Sequence, residues 1–167
     1  MHPVIRLGML LSHLDSVEGR KKLQKLVHIL QVAGAPFTER FELSHFGAYS
    51  SELKAELDVM QAEDLVEERQ TQIGVFTCYV LKPGRAMHRL FAELEIKTDA
   101  PWLSLAERLN KETAQCLEGM STVLYLQQRS WRGDALQSRF VALKPHLASN
   151  FGEYSHKAED IAAYLRS

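Results

Sequence analysis

The sequence predicts a mainly α protein with a small β-hairpin: a winged-helix-like unit followed by a helical C-terminal region. Three observations carry this. Leucines recur at helical spacing before residue 33. The stretch Phe46-Gly47-Ala48-Tyr49-Ser50-Ser51-Glu52-Leu53 reads as a strand end, a glycine turn and a serine-started helix. Two β-rich runs then flank Ile73-Gly74.

The first helix, over 4–14, rests on Leu7, Leu10, Leu11 and Leu14 at i, i+3, i+4, i+7. Leu23, Leu26, Val27 and Leu30 repeat that spacing in a second helix over 18–33, which Gly34 and Pro36 end. Its first two turns carry Arg20, Lys21, Lys22 and Lys25. Cations there oppose the helix dipole, so helix stability does not explain them. Phe41 to Phe46 alternates apolar and polar as a short half-buried strand, which Gly47 breaks. Ser50 or Ser51 caps a third helix that buries Tyr49, Leu53, Leu57 and Met60. Its outer side holds Glu52, Glu56, Asp58, Glu63 and Asp64 against the single Lys54. Residues 65–72 and 75–82 form the hairpin, closed by Pro83-Gly84. A fourth helix follows with Met87, Leu90, Phe91 and Leu94.

Thr98-Asp99-Ala100-Pro101 is the best internal boundary, dividing a unit over 1–98 from a helical region over 99–167. Leu105, Leu109, Cys116, Met120, Val123 and Leu124 suit one long helix, or two broken near Gly119. Asp134 caps a helix bearing Leu136 and Phe140 up to Pro145. Ala158, Ile161, Ala162 and Leu165 mark a last helix reaching the C-terminus. The apolar stripes of this half predict a two-fold homodimer.

Bulk properties bound the function. The chain has 167 residues, and its hydrophobic share of 46% suits a folded core. No apolar run approaches the roughly 18 residues that span a bilayer, so no membrane is expected. The start lacks a charged leader with a cleavage site, and the expected location is cytoplasmic. Cys78 and Cys116 belong to no ligand pattern and read as buried free thiols. Residues 1–98 hold 12 basic and 13 acidic side chains, and the remainder holds 8 of each. Neither half has the basic excess usual for a strong nucleic-acid binder.

Catalytic and metal patterns are missing. The chain has no G-x-S-x-G elbow, no phosphate-cradling glycine loop and no H-E-x-x-H. Its seven histidines stand singly, which predicts no metal, no cofactor and no enzyme activity.

Gly19-Arg20-Lys21-Lys22-Leu23-Gln24-Lys25-Leu26, Phe46 to Leu53 and Tyr79-Val80-Leu81-Lys82-Pro83-Gly84 resemble the YwgA-like family of uncharacterised bacterial proteins. Tyr125-Leu126 and Leu143-Lys144-Pro145 extend the resemblance more weakly into the second half. Ala48 stands where the family string has Pro, and Lys82 where it has Thr. The pattern is also distantly similar to SocA-type antitoxin domains, called Panacea, which implies binding to a partner toxin.

Candidate contact residues are Arg20, Lys21, Lys22 and Lys25, with Tyr49 and Ser50 at the glycine turn and Arg69 on the hairpin. Two functions compete. A DNA-binding transcription regulator would use these cations on phosphates. An antitoxin-like or adaptor module would use the acidic third helix to bind a partner protein. The order of elements favours DNA, which is the expectation adopted here; the charge pattern favours a protein partner.

Overall fold

The computed structural model describes residues 1–164. Helix α1 (Pro3–Leu14) starts at a proline in its first position, where the missing N–H costs nothing. The His2 imidazole caps it by accepting from the Val4 amide. Helix α2 (Arg20–Val32) follows after a single ladder rung, in which Val17 and Leu81 exchange backbone hydrogen bonds of 3.0 and 2.8 Å.

The strand expected over 41–46 is half of a small hairpin. Strand β1 (Glu42–Ser44) pairs antiparallel with β2 (Gly47–Tyr49) around the two-residue turn His45-Phe46. Gly47 does not break the strand but opens the second one, at φ 97°, a conformation that favours glycine. Ser50 then caps α3 (Ser51–Ala62), its hydroxyl accepting from the Leu53 amide at 3.1 Å.

Strands β3 (Val66–Ile73) and β4 (Phe76–Pro83) form the expected antiparallel hairpin, registered from Val66↔Pro83 to Ile73↔Phe76. It packs on α3 through β3 and on α1 through β4. Helix α4 (Arg85–Glu93) buries Met87, whereas Leu94 is exposed.

The helical half holds α5 (Trp102–Asn110), α6 (Ala114–Gln128), α7 (Gly133–Leu143), a 3-10 helix (Pro145–Asn150) and α8 (Phe151–Tyr164). The break in the long stripe falls at residues 111–113, where the Thr113 hydroxyl caps α6, and not near Gly119. Gly119 lies inside α6 because the Tyr154 ring occupies the space a Cβ would fill. Asp134 sits in the first turn of α7, after the cap position held by Arg132. Leu165 lies outside the described residues.

A shared core joins both sides of the boundary at residue 98. Helix α2 packs on α5 and α6, and α6 in turn meets β2, α7 and α8. Leu23, Leu26, Val27, Ile29 and Leu30 of α2 and Leu117, Val123 and Phe140 of the second half belong to that core. Leu105, Leu109, Met120, Leu124 and Ile161 are buried within the chain as well. Among the described residues, the stripes that suggested a homodimer are therefore covered by the chain itself. Cys116 is buried as expected, but Cys78 is half-exposed, because the far part of the hairpin extends beyond the core.

Mainly α structure with small hairpins is thus what the sequence patterning produces. Among the described residues no helix is long and apolar enough to cross a membrane. No group of three His, Cys, Asp or Glu side chains among them could hold a metal ion.

Candidate functional site

The cationic turns of α2 face inward as much as outward. Arg20 reaches α3 and β3: its guanidinium donates to Asp58 Oδ1 at 2.6 Å, to Gln61 Oε1 at 3.0 Å and to Glu68 Oε1. Burial would lower its pKa, yet the bonds and charges of Asp58 and Glu68 raise it. Lys22 is buried and donates to the Asn110 carbonyl at 2.7 Å, pinning α2 to the end of α5. Lys21 is exposed, with its ammonium 3.7 Å from the centre of the Phe46 ring.

Lys25 is the unusual member, at 3% exposure. Its side chain runs beneath Gly47, whose missing Cβ would sit 3.3 Å from Lys25 Cε. Burial pulls its pKa down to about 8, with Glu118 opposing the shift and Lys144 and Lys21 adding to it. Glu118 is itself held by the buried Lys144 at 3.0 Å. Lys144 also donates to the backbone carbonyls of Ser44 and His45, so the second half clamps the β1–β2 turn.

Gln24 fixes the opposite wall. Its side-chain amide donates to the Ser50 carbonyl at 2.9 Å and accepts from the Ser50 amide at 2.8 Å. That reciprocal pair ties the start of α3 to the middle of α2.

A cleft of about 290 Å³ opens between these elements. Arg20, Lys21, Gln24 and Lys25 of α2 form one side. Phe46 and Tyr49 of the small hairpin and Lys54 and Leu57 of α3 form the other. Four of the seven predicted contact residues, Arg20, Lys21, Lys25 and Tyr49, therefore meet at one place. Ser50 is buried behind it as a helix cap. Lys22 faces α5, and Arg69 stands on the outer hairpin, paired with Glu67 at 2.6 Å.

Sequence reasoning overlooked the contributions of Gln24, Lys54 and Leu57, which only α2–α3 packing brings in. Phe46 had a readable signal: a large aromatic at a two-residue hairpin turn, where polar residues are usual.

The acidic face of α3 is not uniform either. Asp58 is shared between Arg20 and Lys54, whereas Glu52, Glu63 and Asp64 stay exposed. Glu56 turns toward the buried Arg6–Glu39 pair, where Arg6 Nη2 lies 2.8 Å from Glu39 Oε1. Burial, and then the neighbouring Glu39, raises the Glu56 pKa.

Beyond this site, the hairpin turn carries a second exposed group. Val75, in the turn, is 91% exposed and Phe76 75%, with Ile73 opposite Phe76 on the same face and the exposed Tyr79 on the other face of the ribbon.

Comparison with known proteins gives one informative likeness. The chain is similar to the uncharacterized protein YwgA of Bacillus subtilis (strain 168), 26% identical over 123 residues, which are 72% of each chain. No family model matches the chain, and no solved structure matches it significantly.

Proposed function

We propose that this YwgA-like chain is a non-enzymatic, winged-helix-like regulatory module that acts by binding a partner protein. The observation that carries this reading is the apolar end of the β3–β4 hairpin. Ile73 and Phe76 face each other across the ladder beside Val75 at the turn, all three in solvent, and clustered large apolar side chains mark surfaces that another protein covers. The charges support it. Arg20 is tied to carboxylates, Lys22 to a carbonyl, and Lys25 is buried, so little of the cation cluster is free for phosphates. The exposed carboxylates of α3 would be repelled in a DNA groove.

DNA binding is the second reading, and the Val17–Leu81 rung favours it. That single rung between α1 and α2, followed by α3 and the β3–β4 hairpin, is compatible with a winged-helix order in which the β1–β2 hairpin is inserted between α2 and α3.

Affinity capture from native cells separates the two. Val75→Ser with Phe76→Ser should release a protein that the wild type retains, while leaving the thermal melt unchanged. Capture of nucleic acid, lost on Lys21→Ala with Arg69→Ala, would overturn the protein-binding reading. Arg20 and Lys22 are left out of that variant because both hold tertiary contacts.

A further inference from the structure

Between α1 and α3, two carboxylates stand beside one cation. The side chains of Arg6 and Glu39 are 4% and 0% exposed, and that of Glu56 is 22% exposed. The Arg6 guanidinium is committed to Glu39, with Nη2 at 2.8 Å and Nε at 3.3 Å from Oε1. Its Nη1 donates to the Met1 carbonyl at 2.7 Å. Glu39 Oε2 accepts from the Thr38 amide at 3.1 Å. Glu56 Oε1 is left 3.9 Å from Arg6 Nη2, too far for a hydrogen bond.

Glu56 Oε2 is buried, and among the described residues no N–H or O–H group donates to it. The Glu56 carboxyl is instead in hydrogen-bond contact with that of Glu39. Two ionised carboxylates offer only acceptors, so this contact requires a proton on one of them. Glu39 is the better seat for the charge, because Arg6 and Thr38 already donate to it. Burial would raise the Glu39 carboxyl, but bonds from Glu56 and Arg6 bring it below its ordinary value. Burial, and then the bond and charge of Glu39, lift Glu56 to about 8 against the pull of Arg6.

The surrounding charges do not relieve the pair. Glu52, one turn earlier on α3, repels a charge on Glu56 further. Strand β3, also packed on α3, commits Glu68 to Arg20 and Glu67 to Arg69. Ahead of α1, His2 lines a groove that Glu56 shares with Pro3, Val4 and Val59.

We propose that Glu39 and Glu56 hold one proton between them, carried on Glu56, and that it latches α3 to the start of α1 as a pH-sensitive switch. With the proton in place, the Glu56 hydroxyl donates to the Glu39 carboxylate, and Arg6 balances the one remaining charge. When the proton leaves to solvent, the contact becomes repulsive. Glu56 is the partly exposed partner, so its carboxylate swings into the groove and α3 loosens from α1. Below 4.5 the latch contributes fully; its contribution is lost as pH rises through about 8, because the unfolded chain releases this proton earlier. The switch does not rest on the partner-binding surface of the β3–β4 hairpin, and either can fail without the other.

The test is a pH titration of the full chain by carbon-13 NMR of the glutamate carboxyls. The Glu56 carboxyl should titrate at least about two pH units above an ordinary glutamate, and the backbone amides of Val4 and Val59 should shift with the same midpoint. Thermal melts should lose less stability between about pH 6 and about pH 9 in Glu56→Gln than in the wild type, because the Gln amide donates to Glu39 at every pH. An ordinary midpoint for Glu56 would overturn the shared proton. A raised midpoint that leaves the Val4 and Val59 amides unmoved would overturn the latch, as would equal losses in the two proteins. The titration is read on the wild type and stands even if Glu56→Gln fails to fold.

Discussion

His28 sits on α2 at 1% exposure, between the rings of Phe41 and Tyr125. Its Nδ1 lies 2.7 Å from the Ser121 hydroxyl, a bond that joins α2 to α6. Nε2 is buried without a well-formed hydrogen bond, although the Gln128 side chain favours the charged form. Burial therefore pushes the imidazole down to about 4, from an ordinary value of 6.5. Below pH 6.5 the unfolded chain takes a proton that the folded chain refuses, so stability falls as pH drops from 6.5 toward 4. At pH 5 the loss from this group is about 2 kcal/mol. Thermal melts at pH 7 and pH 5 should show it in the wild type, and His28→Gln should narrow the gap between the two. The sequence shows His28 only as one of seven single histidines, and its bond to Ser121 depends on the packing of α2 on α6.

Helix α2 shows why helix-dipole reasoning singles out these cations without giving their role. Arg20, Lys22 and Lys25 sit against the dipole because each answers to something outside the helix: α3 and β3, the end of α5, and the Glu118 region. Helix α6 makes the complementary point with Gly119. A glycine inside a helix costs about 1 kcal/mol in propensity relative to alanine. Here it admits the Tyr154 ring of α8 against the α6 backbone. Gly119→Ala gains propensity but overpacks this contact, and the net should be destabilising by roughly 1–2 kcal/mol. Chemical denaturation monitored by circular dichroism reads the change. A stabilised variant would mean that Tyr154 swings aside at little cost.

Across the whole molecule, burial of the second-half stripes decides the oligomeric expectation. Helices α5, α6 and α8 spend Leu105, Leu109, Met120, Val123, Leu124 and Ile161 on the chain's own core. The exposed apolar side chains that remain large and clustered are on the β3–β4 turn, too few for an obligate interface. Light scattering at micromolar concentration should therefore give the mass of one chain. A two-fold mass would restore the dimer, and loss of that mass in Val75→Ser with Phe76→Ser would place it on the hairpin.

The sequence by itself determined the elements. Helical leucine spacing, the Ser50 cap, Gly34 with Pro36, and the turn at Gly74 are local signals, because backbone propensity and capping act over three or four residues. Only the tertiary structure decided what those elements do together. It moved the break in the long stripe from Gly119 to Thr113, because glycine there answers to Tyr154 rather than to the local backbone. It separated Lys22, Ser50 and Arg69 from the cleft that Arg20, Lys21, Lys25 and Tyr49 share. Partners such as Lys25 beneath Gly47, or Lys144 on the His45 carbonyl, lie tens of residues apart, and a charge's role depends on which distant groups desolvate or pair it.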